Sequence, residues 1–229
     1  MAIKIYADGA DLQGIIELNK DPVISGMTTN PTLMKKAGIK NYKEFAQEVL
    51  RNVTEKPVSF EVFSDNWEEM SRQAREIDSW GYNVYVKIPF TNTEGIRMEG
   101  LVKELIAERI KINLTAVFSY QQIDKSIEWL GDNKSIISIF AGRISDAGYD
   151  PTSFIQYAKY NKKPQQEILW ASVRELWNIK HAENCGADIV TVGHDILKKL
   201  KETPRDLEQY SLDTVRMFYD DANSSGFTL

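Results

Sequence analysis

Lys87 is the residue of this chain with the clearest capacity for chemistry. It sits in the run Val84-Tyr85-Val86-Lys87-Ile88-Pro89. The run is rich in β-branched and aromatic residues and is closed by proline, so it reads as a strand. Alternation puts Val84, Val86 and Ile88 on one face and Tyr85 and Lys87 on the other. An ammonium near the carboxyl end of an apolar strand is costly to desolvate, and a neutral amine is a nucleophile that forms Schiff bases with carbonyls. A lysine at a strand end also snorkels to water, and for this strand alone that is the simpler reading. Two carboxylates change the balance. The same alternation leaves Asp8 and Glu61 on the polar faces of Lys4–Asp8 and Val58–Phe63, at the strand ends. One lysine with two carboxylates suits Schiff-base aldol cleavage and formation. Lys87 attacks a ketose carbonyl, and Glu61 and Asp8 move protons. Asp8 takes the hydroxyl proton as the carbon–carbon bond breaks.

Such a group needs a frame that gathers strand ends. Strands are predicted at 4–8, 25–30, 58–63, 84–89, 111–118, 135–141, 167–173 and 187–193. Helical patterns lie between them, at 10–19, 31–52, 92–107, 151–161 and 194–201 among others. Pro31 opens one helix. Asp65 with Glu68 forms a capping-box pattern, followed by Trp67, Met70, Ala74 and Ile77 on one face. Ser119 with Gln122 forms another, with Ile123, Ile127 and Leu130 inward. Eight β-then-α units predict an α/β fold, a single (β/α)8 TIM barrel of one domain over 1–229. A doubly wound open sheet is the alternative, and no Gly-x-Gly-x-x-Gly turn supports it. A tail helix at about 211–224 has Leu212, Val215, Met217, Phe218 and Tyr219 to bury, on its own barrel or on a neighbouring subunit.

In a barrel, one strand face meets the helices and the other meets the axis, with active sites at the carboxyl-terminal mouth. Alternation then sends Asp8, Thr28, Asn30, Glu61, Lys87, Asn113, Thr115, Ser138, Phe140, Ser172 and Arg174 to the axis side. It assigns Leu169, Ala171, Val173 and Ala116 to the helix side. Asn30, Asn113 and Thr115 suit sugar hydroxyls. Arg143, after Gly142, and Arg174 suit a phosphate clamp, although either alone also suits a surface salt bridge.

Composition sets the outer limits. The chain has 229 residues, 42% hydrophobic and 27% charged, with net charge −5. That balance argues against a nucleic-acid or anionic-membrane surface. No apolar run is long enough to span a membrane, and no apolar leader segment is evident. The single cysteine, Cys185, fits a reducing compartment, so cytoplasmic location is the expectation. His181 and His194 are the only histidines and lie in no ligand-spaced cluster, so no metal and no cofactor is expected.

At these residues the sequence resembles the transaldolase family, in the short form shared with fructose-6-phosphate aldolases. The motifs are Thr28-Thr29-Asn30-Pro31-Thr32-Leu33, Val86-Lys87-Ile88-Pro89, Asn113-Leu114-Thr115, Ser138-Ile139-Phe140-Ala141-Gly142-Arg143 and Ala171-Ser172-Val173-Arg174. The resemblance covers nearly the whole chain. It implies that Lys87 forms the Schiff base, that Asp8 is the general acid/base and that Glu61 acts through a water. It implies that Asn30, Asn113 and Ser172 bind the dihydroxyacetone part, and Arg143 and Arg174 the phosphate. Transaldolases of this family carry glutamate and phenylalanine where Glu61 and Phe140 stand, and the aldolases carry glutamine and tyrosine. The resemblance therefore implies transfer of a dihydroxyacetone unit between sugar phosphates, in the pentose phosphate pathway, by a homo-oligomer, pentamer or decamer. The alternatives are a fructose-6-phosphate aldolase-type lyase, another Schiff-base aldolase acting on deoxyribose phosphate or a keto acid, or a non-catalytic sugar-phosphate binder. Two features depart from the family pattern: Ile139 replaces a common proline, and His194 follows the eighth strand, to cap a helix or touch ligand.

Overall fold

The computed structural model describes residues 2–228, so positions 1 and 229 of the expected domain span lie outside the described residues. Eight parallel strands close into a barrel in chain order: β1 (Lys4–Asp8), β2 (Ile24–Thr28), β3 (Val58–Glu61), β4 (Val84–Pro89), β5 (Ile112–Val117), β6 (Ser135–Ile139), β7 (Gln166–Trp170) and β8 (Ile189–Gly193). The β1–β8 pairing closes the ring and excludes the open sheet. The fold is a (β/α)8 barrel with an added carboxyl-terminal helix.

Helices cover the outside: α1 (Leu12–Asn19), α2 (Pro31–Lys36), α3 (Tyr42–Asn52), α4 (Trp67–Asp78), α5 (Glu99–Ala107), α6 (Tyr120–Leu130), α7 (Ala141–Asp146), α8 (Thr152–Asn161), α9 (Trp177–Cys185), α10 (His194–Leu200) and α11 (Leu207–Ser225). Their inner faces and the outward strand residues form one continuous core. Val84, Val86 and Ile88 of β4 are fully buried in it. The axis holds a separate apolar plug of Tyr6, Tyr85, Ile136, Leu169, Ala171 and Ile189. At one point this plug requires glycine. A Cβ at Gly26 would come within 2.6 Å of the Tyr6 ring.

Several boundaries differ from the sequence expectation, for local reasons. The expected 31–52 helix is two helices, broken at Gly38, where φ is +71°. The Ser119–Gln122 capping box forms as expected, with both reciprocal hydrogen bonds. The Asp65–Glu68 box does not. Asn66 caps α4 by accepting from the Glu69 N–H, while Asp65 accepts from the N–H and hydroxyl of Thr93 in the adjacent loop after β4. Asp65 therefore ties down the 92–98 segment, which is loop, and α5 starts only at Glu99. Met70, Ala74 and Ile77 are buried. Trp67 is partly exposed and lies over Gly100, where a Cβ would meet its ring at 2.3 Å. β6 stops at Ile139 because Ala141 opens the short helix α7. The tail helix begins at Leu207, earlier than 211, capped by Asp206. It buries none of its residues on its own barrel. Leu212, Val215, Met217, Phe218 and Tyr219 are all exposed. No helix among the described residues is long and apolar enough to cross a membrane.

Candidate active site

Strand register brings the candidate groups together. Glu61 of β3 is the direct neighbour of Lys87 on β4, and Lys87 is the direct neighbour of Asn113 on β5. Two strands before Glu61, Asp8 of β1 stands next to Thr28 of β2. All of these face a cavity of about 650 Å³ at the carboxyl-terminal mouth. Lys87 is 6% exposed. Its Nζ lies 2.8 Å from Glu61 Oε2 and donates to the Thr29 carbonyl at 3.0 Å. The ammonium therefore has two oxygen partners at the cavity floor.

Asp8 accepts a hydrogen bond from Thr28 Oγ1 at 2.8 Å. Burial pushes the Asp8 carboxyl up from its ordinary value, and Glu61 pushes in the same direction. Lys87, Thr28 and His194 pull the other way, and burial is the largest effect. Thr28 also shares a very short hydrogen bond with Thr191 of β8. Thr191 lines the cavity and sequence reasoning passed it over. The signal was available: period-2 alternation places Ile189, Thr191 and Gly193 on the axis side, opposite Val190 and Val192. Lys36, Thr32, Leu33 and Asp195 are further lining residues that alternation could not reach, since they stand on helices and loops.

On the opposite wall, Asn113 links two hydroxyls. Its Nδ2 donates to Ser59 Oγ at 3.1 Å and its Oδ1 accepts from Ser138 Oγ at 2.6 Å. Thr115 lines the cavity with a buried hydroxyl that has no partner among the described residues. Asn30 lines the same cavity, and its Oδ1 caps α2 by accepting from the Leu33 N–H at 3.0 Å. Its amide NH₂ is the part left for a ligand.

Two strands depart from the sides that the sequence assigned. In β7, Leu169 and Ala171 face the axis, not the helices, and the strand ends at Trp170. Ser172 still lines the cavity because its φ of +68° turns the chain through the left-handed region. Val173 and Arg174 follow it into the lining. In β5, a register irregularity between Leu114 and Val117 and a φ of +59° at Ala116 turn Ala116 to the cavity as well.

The β6–β7 edge is closely spliced. Gly142 donates its N–H to the Ala171 carbonyl, and a Cβ at Gly142 would fall 1.6 Å from the Ser172 carbonyl oxygen. Only glycine fits there. Arg143 follows, with its guanidinium 5.3 Å from the centroid of the Phe140 ring. Arg174 donates from Nε to Asp146 Oδ2 at 2.9 Å, a pairing that holds the Asp146 carboxyl below its usual range. Both arginines line the cavity.

His194 does neither of the things expected of it. It gives no cap to α10 and does not line the cavity. It packs behind Asp8 against Gly9 and Gly14, where added Cβ atoms would come within 2.5 and 2.8 Å of its ring nitrogens. Burial lowers its pKa, opposed by Asp11 and Asp8.

The family model described as Transaldolase/Fructose-6-phosphate aldolase matches residues 5–229. The chain belongs to this family. Among its relatives is a "Probable transaldolase" of Dehalococcoides mccartyi, 34% identical over 207 residues that cover 88% of this chain and 92% of the relative. A second "Probable transaldolase", from Bdellovibrio bacteriovorus, is 32% identical over 228 residues, 97% of this chain and 99% of the relative. Among solved structures, a 3-hexulose-6-phosphate synthase superposes with a TM-score of 0.58 at 12% identity, covering 84% of this chain and 90% of that one. That likeness is one of fold.

The raised pKa of Asp8 has a consequence for stability. Below about 3.8 the carboxyl is protonated whether the chain is folded or not, and it costs the fold nothing. As pH rises past that value the unfolded chain ionises first, so stability is lost progressively up to the higher folded pKa. Asp8→Asn keeps an acceptor for Thr28 and removes the charge. Thermal melts are expected to show the variant more stable than wild type at pH 8, with the gain vanishing near pH 3. An equal difference at both pH values would mean that burial does not disfavour this carboxylate.

Proposed function

We propose that this chain is a transaldolase that works through a Schiff base on Lys87. The observation that carries the proposal is the buried Lys87–Glu61 pair at 2.8 Å with Asp8 facing the same cavity. The Lys87 ammonium gives a proton to Glu61, directly or across a water, and the free amine attacks the ketose carbonyl. The carbinolamine loses water to give the Schiff base. Asp8 takes the proton of the hydroxyl next to the scissile bond, the bond electrons form the carbon–carbon double bond of an enamine, and the iminium π pair moves onto the Lys87 nitrogen. The aldose phosphate leaves. An acceptor aldose phosphate then reverses these steps, with Asp8 returning the proton. Asn30, Asn113, Ser138 and Ser172 hold the dihydroxyacetone hydroxyls, with Thr28 and Thr115 beside the proton path. Arg143 and Arg174 hold the phosphate, and Phe140 stacks under Arg143 and limits the cavity. No cofactor is needed for this chemistry.

Glu61 and Phe140 favour transfer over simple cleavage, since they match the transaldolase branch of the family described above. Product from fructose 6-phosphate is expected only when erythrose 4-phosphate is supplied, read as glyceraldehyde 3-phosphate. Product without the acceptor, together with free dihydroxyacetone, would make this an aldolase. Borohydride with substrate is expected to trap an adduct on Lys87, and Lys87→Met to abolish both adduct and turnover. A chain that binds sugar phosphate but yields no adduct would be a binder.

Swapping Glu61→Gln and Phe140→Tyr together is expected to raise dihydroxyacetone release relative to transfer. An unmoved ratio would show that these positions do not set the branch.

We also infer one barrel domain that assembles as a ring, pentamer or decamer. The bare apolar face of α11 supports this, because such a face is normally covered. Light scattering on a form lacking residues 207–229 is expected to report a smaller assembly. An unchanged mass would remove the tail from the contact.

A further inference from the structure

The barrel has a second cavity, of about 340 Å³, at its amino-terminal mouth, below the plug. Its inner wall is made by two tyrosines of that plug. Tyr6 is 2% exposed and Tyr85 is 4% exposed, and both line the cavity. Neither hydroxyl has a hydrogen-bond partner among the described residues, unlike Tyr42, whose hydroxyl both donates to and accepts from the Glu61 backbone. Both hydroxyls open onto the cavity, where no protein acceptor meets them, so they stand as two donors free for whatever fills it.

The rim supplies charge. Lys4, Lys111 and Lys134 line it, with Glu55 and Glu167. Glu167 is taken up by Lys4 at 2.6 Å. Lys111 donates to the Tyr82 carbonyl, and its ammonium lies 5.5 Å from the Tyr85 ring centroid. Lys111 and Lys134 make no ion pair among the described residues. Burial lowers the Lys111 pKa, Asp78 opposes that shift and Lys134 adds to it. Two cations next to two unsatisfied hydroxyl donors is the donor set of an oxyanion site.

We propose that the amino-terminal mouth binds a small oxyanion, a phosphate or the phosphoryl group of a small metabolite, held by Lys111 and Lys134 and by the hydroxyls of Tyr6 and Tyr85. The site is separate from the carboxyl-terminal cavity and does not depend on what chemistry occurs there. The plug residues Ile136, Leu169 and Ile189 stand between the two. Gly26 belongs to the construction, since any larger residue would push Tyr6 out of the wall.

Inorganic phosphate is the probe, followed by isothermal titration calorimetry and thermal melts. An Arg143→Ala/Arg174→Ala variant silences phosphate contacts at the other mouth. Phosphate is expected still to bind that variant and to raise its melting temperature. Adding Lys111→Gln and Lys134→Gln is expected to remove the binding. Adding Tyr6→Phe and Tyr85→Phe instead keeps charge and ring packing, and is expected to weaken binding by roughly tenfold or more. No binding to the arginine variant overturns the proposal, as does binding unchanged by the lysine changes. Binding lost with the lysines but unaffected by the phenylalanines also overturns it, because charge alone would then suffice and the cavity would not be a built site. A crystal of wild-type protein soaked in selenate, with no anomalous peak between Lys111 and Lys134, overturns it independently of any variant.

Discussion

One ion pair sets the terms for this structure: Lys87 with Glu61, on neighbouring strands, 2.8 Å apart and largely removed from water. A buried pair gains little net stability, because desolvation offsets attraction. Losing one partner is far costlier than never having had the pair. The β3–β4 register must therefore be held, since a slip of one residue would turn Lys87 into the helix layer. Phe60, Val84, Val86 and Ile88, all fully buried outside the barrel, hold it. The apolar core thus fixes the position of the polar pair, and the pair in turn leaves a lysine amine pointing into the cavity.

The barrel interior divides by layer. The middle is apolar, with Ile136, Leu169 and Ile189 packed against the rings of Tyr6 and Tyr85. Above it the strand ends turn polar, and every strand contributes: Asp8, Thr28, Glu61, Lys87, Asn113, Ser138 and Thr191, with Ser172 just past the end of β7. Placing so many hydrogen-bonding groups in one enclosed space is tolerable because most of them, Thr115 excepted, satisfy one another. Ser59, Asn113 and Ser138 form one chain, and Asp8, Thr28 and Thr191 another.

Much of this was readable from the sequence, and the reason is geometric. Period-2 alternation holds while the backbone stays extended, so β1, β3, β4 and β6 put their side chains where the pattern said. It fails where the backbone leaves the extended region. The left-handed turn at Ala116 reverses its assigned side. β7 itself alternates, with Leu169 and Ala171 to the axis and Ile168 and Trp170 outward. Its phase was misassigned because the left-handed turn at Ser172 brings that residue to the same side as Ala171, and neither Ala116 nor Ser172 is a type that announces positive φ. Ser172 reaches the cavity through a backbone turn, although alternation put it there for a different reason. The capping error at Asp65 has a similar cause. Asp65 and Asn66 are equally good caps by type, and the choice was decided by Thr93, 28 residues away in sequence. His194 was undecidable locally, because its pocket is made by two glycines near the other end of the chain.

The contact between Gly142 and the Ser172 carbonyl has a further consequence. Arg143 immediately follows one partner of that contact, and Arg174 lies two residues beyond the other. The roots of the two guanidinium groups are thus indexed to each other by main chain against main chain, with no side chain between them to be trimmed or enlarged. The gap between the lysine floor and the arginine rim behaves as a fixed gauge. Any lineage of this chain that came to accept a longer or shorter ligand would have to change the opposite wall, around Lys36 and Asp195, and leave the gauge alone.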